Sequence, residues 1–233
     1  MPFYYYGFDP TYFLVLIGLV LSLMASAKVK STYAKYSREA SLSGMTGAQA
    51  AHRILTMSGI YDVTIRQVPG NLTDHYDPRN KTLNLSDAVY GNFSVAAIGV
   101  AAHEAGHAIQ HDRGYAPLKL RSMIAPVASF GANISWPLIL IGLLFGGSGT
   151  LIKLGIIMFS LAVAFQLITL PVEYNASKRA INLLEETGIL YADELPKTKK
   201  VLNAAALTYV AAAASSVLQL LRLVLLFGNR RRD

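Results

Sequence analysis

Four long runs of apolar residues dominate the pattern along this chain, and shorter stretches of alternating apolar and polar positions lie between them. The first run, Thr11 to Ala27, contains seventeen residues without a charge. The others extend from about Ile124 to Gly146, from about Leu151 to Pro171 and from about Val201 to Phe227. Each approaches the ~20 residues that an α-helix needs to cross hydrocarbon, so the pattern predicts about four transmembrane helices. Lys153 sits at the end of its run, where its ammonium can snorkel, whereas Arg222 lies deeper in the fourth. The first run does not read as a cleaved leader, because Met1 to Asp9 carries no basic residue. The fourth run is Ala-rich and mildly apolar from Asn203 to Ser216, a composition that also suits packing on a soluble unit.

Between the first two runs the period shortens and turn residues appear, which predicts a small α+β unit. Thr46 and Gln49 have the spacing of a capping box, opening a helix that runs through Met57 and stops at Gly59. Asp62 to Val68 alternates as a strand with Val63, Ile65 and Gln67 on one face. Thr73–Tyr76 and Thr82–Leu85 form a predicted hairpin across Asp77-Pro78-Arg79-Asn80. A further helix starts near Ser94 and reaches about Asp112. The expected organisation is an anchor (1–27), this unit (28–123), a transmembrane hairpin (124–171), a helix at 172–200, and a last apolar helix with a basic tail (201–233).

Composition strengthens the membrane reading: 53% of residues are hydrophobic and only 15% charged. The net charge of +7 arises from basic residues beside the apolar runs. Lys28, Lys30, Lys35 and Arg38 follow the first run, and Lys178, Arg179, Lys197, Lys199 and Lys200 lie between the third and fourth. The positive-inside rule then places the N-terminus outside and both larger loops in the cytoplasm. With four full crossings, Arg230, Arg231 and Arg232 fall on the opposite side, against that rule. Without interleaved aromatics these clusters point to anionic lipid and not to nucleic acid. The chain has no cysteine, which excludes thiolate catalysis, disulfides and cysteine-rich metal sites.

Candidate chemistry concentrates in His103-Glu104-Ala105-Gly106-His107, an HExxH run. On a helix, His103 and His107 lie one turn apart on the same face, where both imidazoles reach one ion. Glu104 stands on the adjoining face as a general base. A zinc ion held by nitrogen and oxygen ligands with one position open acidifies water and polarises a carbonyl, so the spacing implies metal-assisted hydrolysis of a peptide bond. A third ligand is required. His111 lies about 12 Å along the axis from His103 and cannot share that ion, which suits a surface or supporting role. Glu173, in the run Leu170 to Ser177, is the better candidate: two apolar runs separate it from His107, an even number of crossings. The competing reading of Glu173 is an acid at the start of a helix, favoured by the macrodipole. Glu185, Glu186, Asp193 and Glu194 read as solvated charge, and His52 and His75 as structural. Asn175 or Asp112 is a candidate to orient a ligand imidazole. Thr82, Leu83, Asn84 and Leu85 are expected to form an exposed edge to which a substrate strand adds. Tyr209, His75 and Tyr174 are candidate donors to an oxyanion.

The run HEAGHAIQH, the hairpin before it and LPVEYNAS after a transmembrane hairpin together resemble the membrane-bound neutral zinc metallopeptidases of the YugP-like type. The resemblance extends from the N-terminal anchor to the basic tail, and its logic is similar to that of HtpX-type membrane proteases. It implies a zincin-like catalytic unit of the gluzincin kind on the cytoplasmic face, with one Zn2+ held by His103, His107 and Glu173 and with Glu104 as base. Protein or peptide substrates follow from it. The rival readings are an intramembrane-cleaving protease and a non-catalytic metal-binding membrane scaffold. No Leu-Asp-Gly motif supports the first, and the retention of Glu104 argues against the second.

Overall fold

A computed structural model of the chain describes residues 9–145 and 147–228. The leader up to Phe8 and the tail arginines Arg230, Arg231 and Arg232, on which part of the orientation argument rests, lie outside the described residues. The elements in chain order are α1 (Tyr12–Tyr36), α2 (Gly47–Met57), β1 (Thr64–Val68), β2 (His75–Asp77), β3 (Thr82–Ser86), α3 (Asp87–Tyr90), α4 (Val95–Asp112), α5 (Ala116–Leu144), α6 (Gly149–Glu186) and α7 (Leu195–Phe227). They divide into two compact units, one from residues 1–24, 121–168 and 209–233, the other from residues 25–120 and 169–208.

The first unit holds the apolar parts of α1, α5, α6 and α7, the four helices long and apolar enough to cross a membrane. Large side chains such as Met24, Phe130, Leu140, Ile157 and Leu225 stand exposed on them, as expected of helices solvated by lipid. The chain is a multi-pass membrane protein. Within this unit α1 meets α7 through small residues. Ser215 Oγ donates to the Gly18 carbonyl at 2.8 Å and lies 3.0 Å from Ser22 Oγ, a close approach that small side chains permit between apolar helices. Arg222 is not stranded in α7: its Nε donates to Thr11 Oγ1 at 3.2 Å, its guanidinium covers the Tyr12 ring at 4.3 Å, and Asp9 lies 3.8 Å away.

The second unit is built on a three-stranded sheet and the helices α2 and α4. The capping box forms as its residues dictate: Gln49 N–H donates to Thr46 Oγ1 and Thr46 N–H to Gln49 Oε1. Gly59 follows with φ of 78°, a left-handed value that stops the helix at little cost only for glycine. The predicted hairpin is present, with Tyr76 opposite Leu83 in antiparallel register.

Three expectations require correction. The sheet order is β1-β3-β2, so β3 is the central strand, paired in parallel with β1 and antiparallel with β2. All five of its residues are buried. Thr82–Leu85 therefore offers no free backbone edge, because β1 (Thr64–Val68) occupies the side that local pattern leaves open. Second, α6 runs unbroken through Pro171, and Glu173 lies in its interior. The macrodipole acts within the first turn and does not account for this carboxylate. Third, Glu194 is buried, accepting the backbone N–H groups of Leu42 at 2.9 Å and Tyr191 at 2.8 Å. Lys197 also ties to Glu39 at 2.8 Å. The Ala-rich start of α7 divides: residues up to Thr208 belong to this second unit, with Val201, Leu202, Ala204 and Ala206 buried.

α4 is capped by Ser94, whose hydroxyl accepts from Ala97 N–H at 3.2 Å. Ala96, Ala97, Ala101, Ala102, Ala105 and Ala108 are all buried, so neighbouring elements approach its backbone closely. At Gly106 another backbone comes close: an added Cβ would meet the carbonyl oxygen of Ala176 on α6 at 2.8 Å. Ala is favoured over Gly in helix interiors by about 1 kcal/mol. Overpacking against fixed backbone costs about 1–3 kcal/mol, so the clash wins. Gly106→Ala is expected to lower the melting temperature in detergent; an unchanged or raised value would show that α4 and α6 are not in backbone contact.

Candidate metal centre

The site forms where one turn of α4 faces one turn of α6. The helical spacing of four sets the His103 and His107 rings edge to face, 4.8 Å between centroids. Glu173 enters from α6 and reaches both. Its Oε2 lies 3.2 Å from His103 Nε2 and 3.6 Å from His107 Nε2. The ligand atoms of these three residues lie within 4.8 Å of one another. Glu173 is 2% exposed. A carboxylate buried to this degree needs cationic or hydrogen-bonded partners, because its ionised form is costly away from water.

Each imidazole is held from behind. His103 Nδ1 lies 3.1 Å from Ser177 Oγ, and His107 Nδ1 lies 3.0 Å from Gln110 Oε1. The orientation of Gln110 follows from its other partners. Its amide nitrogen donates to the Val172 carbonyl at 2.8 Å and to Asn175 Oδ1 at 2.9 Å. Arg179 Nε donates to the same Asn175 oxygen at 2.7 Å. With both amide hydrogens committed, Gln110 turns its carbonyl oxygen to His107, which must then carry its proton on Nδ1. Its Nε2 consequently faces Glu173, donating to the carboxylate when the ring is protonated and offering a lone pair to a metal once that proton is lost. Burial opposes charge on His107, but the hydrogen bond to Glu173, the charges of Glu104 and Glu173 and the Gln110 contact together raise its pKa.

Two imidazole nitrogens and one carboxylate oxygen, preoriented and largely buried, form the donor set that zinc takes in catalytic sites, where one position stays open. The residues present therefore fit a zinc ion. Glu104 is buried beside them at 8% exposure, and among the described residues no side-chain hydrogen bond or ion pair engages its carboxylate.

The remaining expected residues fall elsewhere. His111 bonds Tyr76: the phenol, kept protonated by burial and by Asp62, Asp77 and Asp112 with a pKa pushed up to about 12, donates to His111 Nδ1 at 2.8 Å. His75 contacts the Thr73 carbonyl and Asn84 within the hairpin. Asp112 pairs with Arg113 at the surface, and Tyr174 is exposed on α6. Tyr209 stands on α7 in the membrane-helix unit. Ser177 and Gln110 were not singled out in the sequence, although a signal was available. Gln110 is three residues from His107 and Ser177 four from Glu173, each on its partner's helical face.

A family model described as "Putative neutral zinc metallopeptidase" matches residues 11–228. The chain is 51% identical over 221 residues to a Bacillus subtilis (strain 168) protein named "Putative membrane protease YugP", an alignment that covers 95% of this chain and 98% of that one. No solved structure matches the chain.

Two substitutions test the cluster. Glu173→Ala is expected to abolish retention of zinc through dialysis, measured by atomic absorption; full retention would remove Glu173 from the ligand set. Gln110→Leu leaves the His107 Nδ1–H without an acceptor and is expected to weaken zinc binding roughly 10–100-fold. Unchanged affinity in a chelator competition would show that the Gln110 chain does not orient the ring.

Proposed function

The chain belongs to the neutral zinc metallopeptidase family, and from that premise we propose that it is a membrane-embedded, zinc-dependent endopeptidase that cleaves peptide bonds near the cytoplasmic membrane face. The observation that carries this reading is the convergence of His103 Nε2, His107 Nε2 and a Glu173 oxygen beside the buried Glu104. In it one Zn2+ is held by His103, His107 and Glu173 in a gluzincin-like arrangement on a zincin-like unit. The ion supplies a Lewis acid that polarises the scissile carbonyl and acidifies water.

Glu104 performs the proton transfers. Its carboxylate accepts a proton from the attacking water as the remaining hydroxyl joins the carbonyl carbon. The same carboxyl then delivers that proton to the leaving amide nitrogen as the C–N bond breaks, so the elements of water are added across the bond. Between transfers, the His107 hydrogen bond to the Gln110 carbonyl and the His103 contact with Ser177 keep both imidazoles in place, so no reorganisation is needed during the reaction. An extended substrate is taken at the outer edge of β2 (His75–Asp77), the strand that borders β3 on one side only and contacts α4 through Tyr76 and His111. Strand addition supplies main-chain hydrogen bonds without demanding a particular sequence.

The cytoplasmic assignment is supported by the basic residues that follow the first apolar run and precede the fourth. Two apolar stretches, α5 and the part of α6 before Glu173, separate His107 from Glu173, an even number that lets both ligands serve one face.

Glu104→Gln decides between a protease and a metal-binding scaffold. Purified in detergent, the variant is expected to retain zinc while its cleavage of an unfolded protein falls by roughly 10²–10⁴-fold, the usual worth of a general acid–base. Wild-type turnover by the zinc-loaded variant would reject the mechanism.

A further inference from the structure

We infer that the groove between α1 and α7 in the second unit binds the phosphate-bearing headgroup of an anionic phospholipid. The groove measures about 490 Å³, within the range of small-molecule sites, and its polar lining comes from Lys28, Ser31, Thr32 and Lys35 on α1 and from Lys200 and Asn203 on α7. The spacing explains the convergence. Lys28, Ser31, Thr32 and Lys35 stand at i, i+3, i+4 and i+7, a single stripe of α1. Lys200, Asn203, Ala204 and Leu207 repeat that spacing on α7, with small Ala204 leaving room and Leu207 supplying an apolar wall. Two stripes from helices 160 or more residues apart in sequence thus face one space.

The chemistry of that space selects its ligand. Three ammonium groups, the Thr32 hydroxyl and the Asn203 amide are donors to anionic oxygens, while the Ser31 hydroxyl donates to the Lys28 carbonyl at 3.1 Å; lysine binds phosphate as a point charge. No acidic side chain lines the groove. Among the described residues no carboxylate pairs with Lys28, Lys35 or Lys200, while the nearby Glu39 is taken by Lys197. Lys35 also lies 5.2 Å over the ring of Tyr36, which forms part of the wall.

Position selects the lipid over a soluble anion. Lys28 is the first charge after the uncharged stretch 11–27 of α1, and Lys200 is the last before the uncharged stretch 201–221 of α7. On both helices the groove lies where the apolar stretch ends, the level at which headgroup phosphates meet basic side chains. Lys30 and Arg38, although as basic and as close in sequence, do not line it, so the feature is more than a general excess of positive charge.

Native mass spectrometry of the full chain in mild detergent tests the assignment with phosphatidylglycerol, phosphatidylcholine and inorganic phosphate as probes. The wild type is expected to retain phosphatidylglycerol in preference to phosphatidylcholine, with millimolar inorganic phosphate failing to displace it. Lys28→Gln/Lys35→Gln/Lys200→Gln is expected to weaken that retention roughly a hundredfold, at about one kcal/mol for each lysine. Lys30→Gln is the control and should behave as wild type. Zinc retention by the triple variant reports that it has folded; should it unfold, Lys200→Gln alone is expected to lose roughly fivefold on the same scale. Equal retention of both lipids, displacement by inorganic phosphate, or the same loss in Lys30→Gln would each overturn the proposal.

Discussion

The contact between the backbone of α4 at Gly106 and the backbone of α6 at Ala176 is the constraint on which the site depends. A carboxylate side chain is short, so Glu173 reaches two imidazoles on another helix only if the two backbones come close. The alanines along α4 and the missing side chain at Gly106 allow that approach. Larger residues at that contact would push the helices apart and set the carboxylate back. The small residues inside the HExxH run are therefore part of the metal centre, even though they present no ligand.

The same closeness creates an electrostatic problem that the surrounding residues solve. Burying Glu173 at 2% exposure is unfavourable unless positive charge or strong donors meet it. The two imidazoles do so, and each is itself anchored, His103 by Ser177 and His107 by Gln110. The chain of contacts ends on groups that do not move easily: the Val172 carbonyl within α6, and Arg179 one turn beyond Asn175. Partners that carry fully satisfied hydrogen bonds fix ring orientation before any ligand arrives. Glu104 stands apart from this network, which suits a group that must exchange protons.

One helix joins the apolar part of the molecule to its chemistry. α6 begins in a segment that composition assigns to lipid and continues without interruption through Pro171 to Glu173, Asn175, Ser177 and Arg179. Proline lacks an N–H and breaks one hydrogen bond of the ladder, yet the helix continues through it. A ligand mounted on a continuous helix is held more rigidly than one on a loop. α1 and α7 likewise carry a polar stripe and an apolar run on one helix, the polar part last on α1 and first on α7.

What the sequence determined by itself was whatever a single turn of chain decides. The apolar runs, the Thr46–Gln49 capping box, the Ser94 cap and the one-turn spacing of His103 and His107 are local, since their hydrogen bonds and periodicity join residues a few positions apart. His111 was excluded from the pair by helix rise alone. Tertiary structure decided the rest. β3 is central, not an edge, because β1 pairs with it in parallel from eighteen residues away. Glu194 is buried because the Leu42 N–H, 152 positions distant, needs an acceptor. Glu173 lies inside a helix, and its nearness to the two imidazoles depends on how α6 packs against α4. Pattern shows which face of an element is apolar, whereas only packing selects the element that covers it.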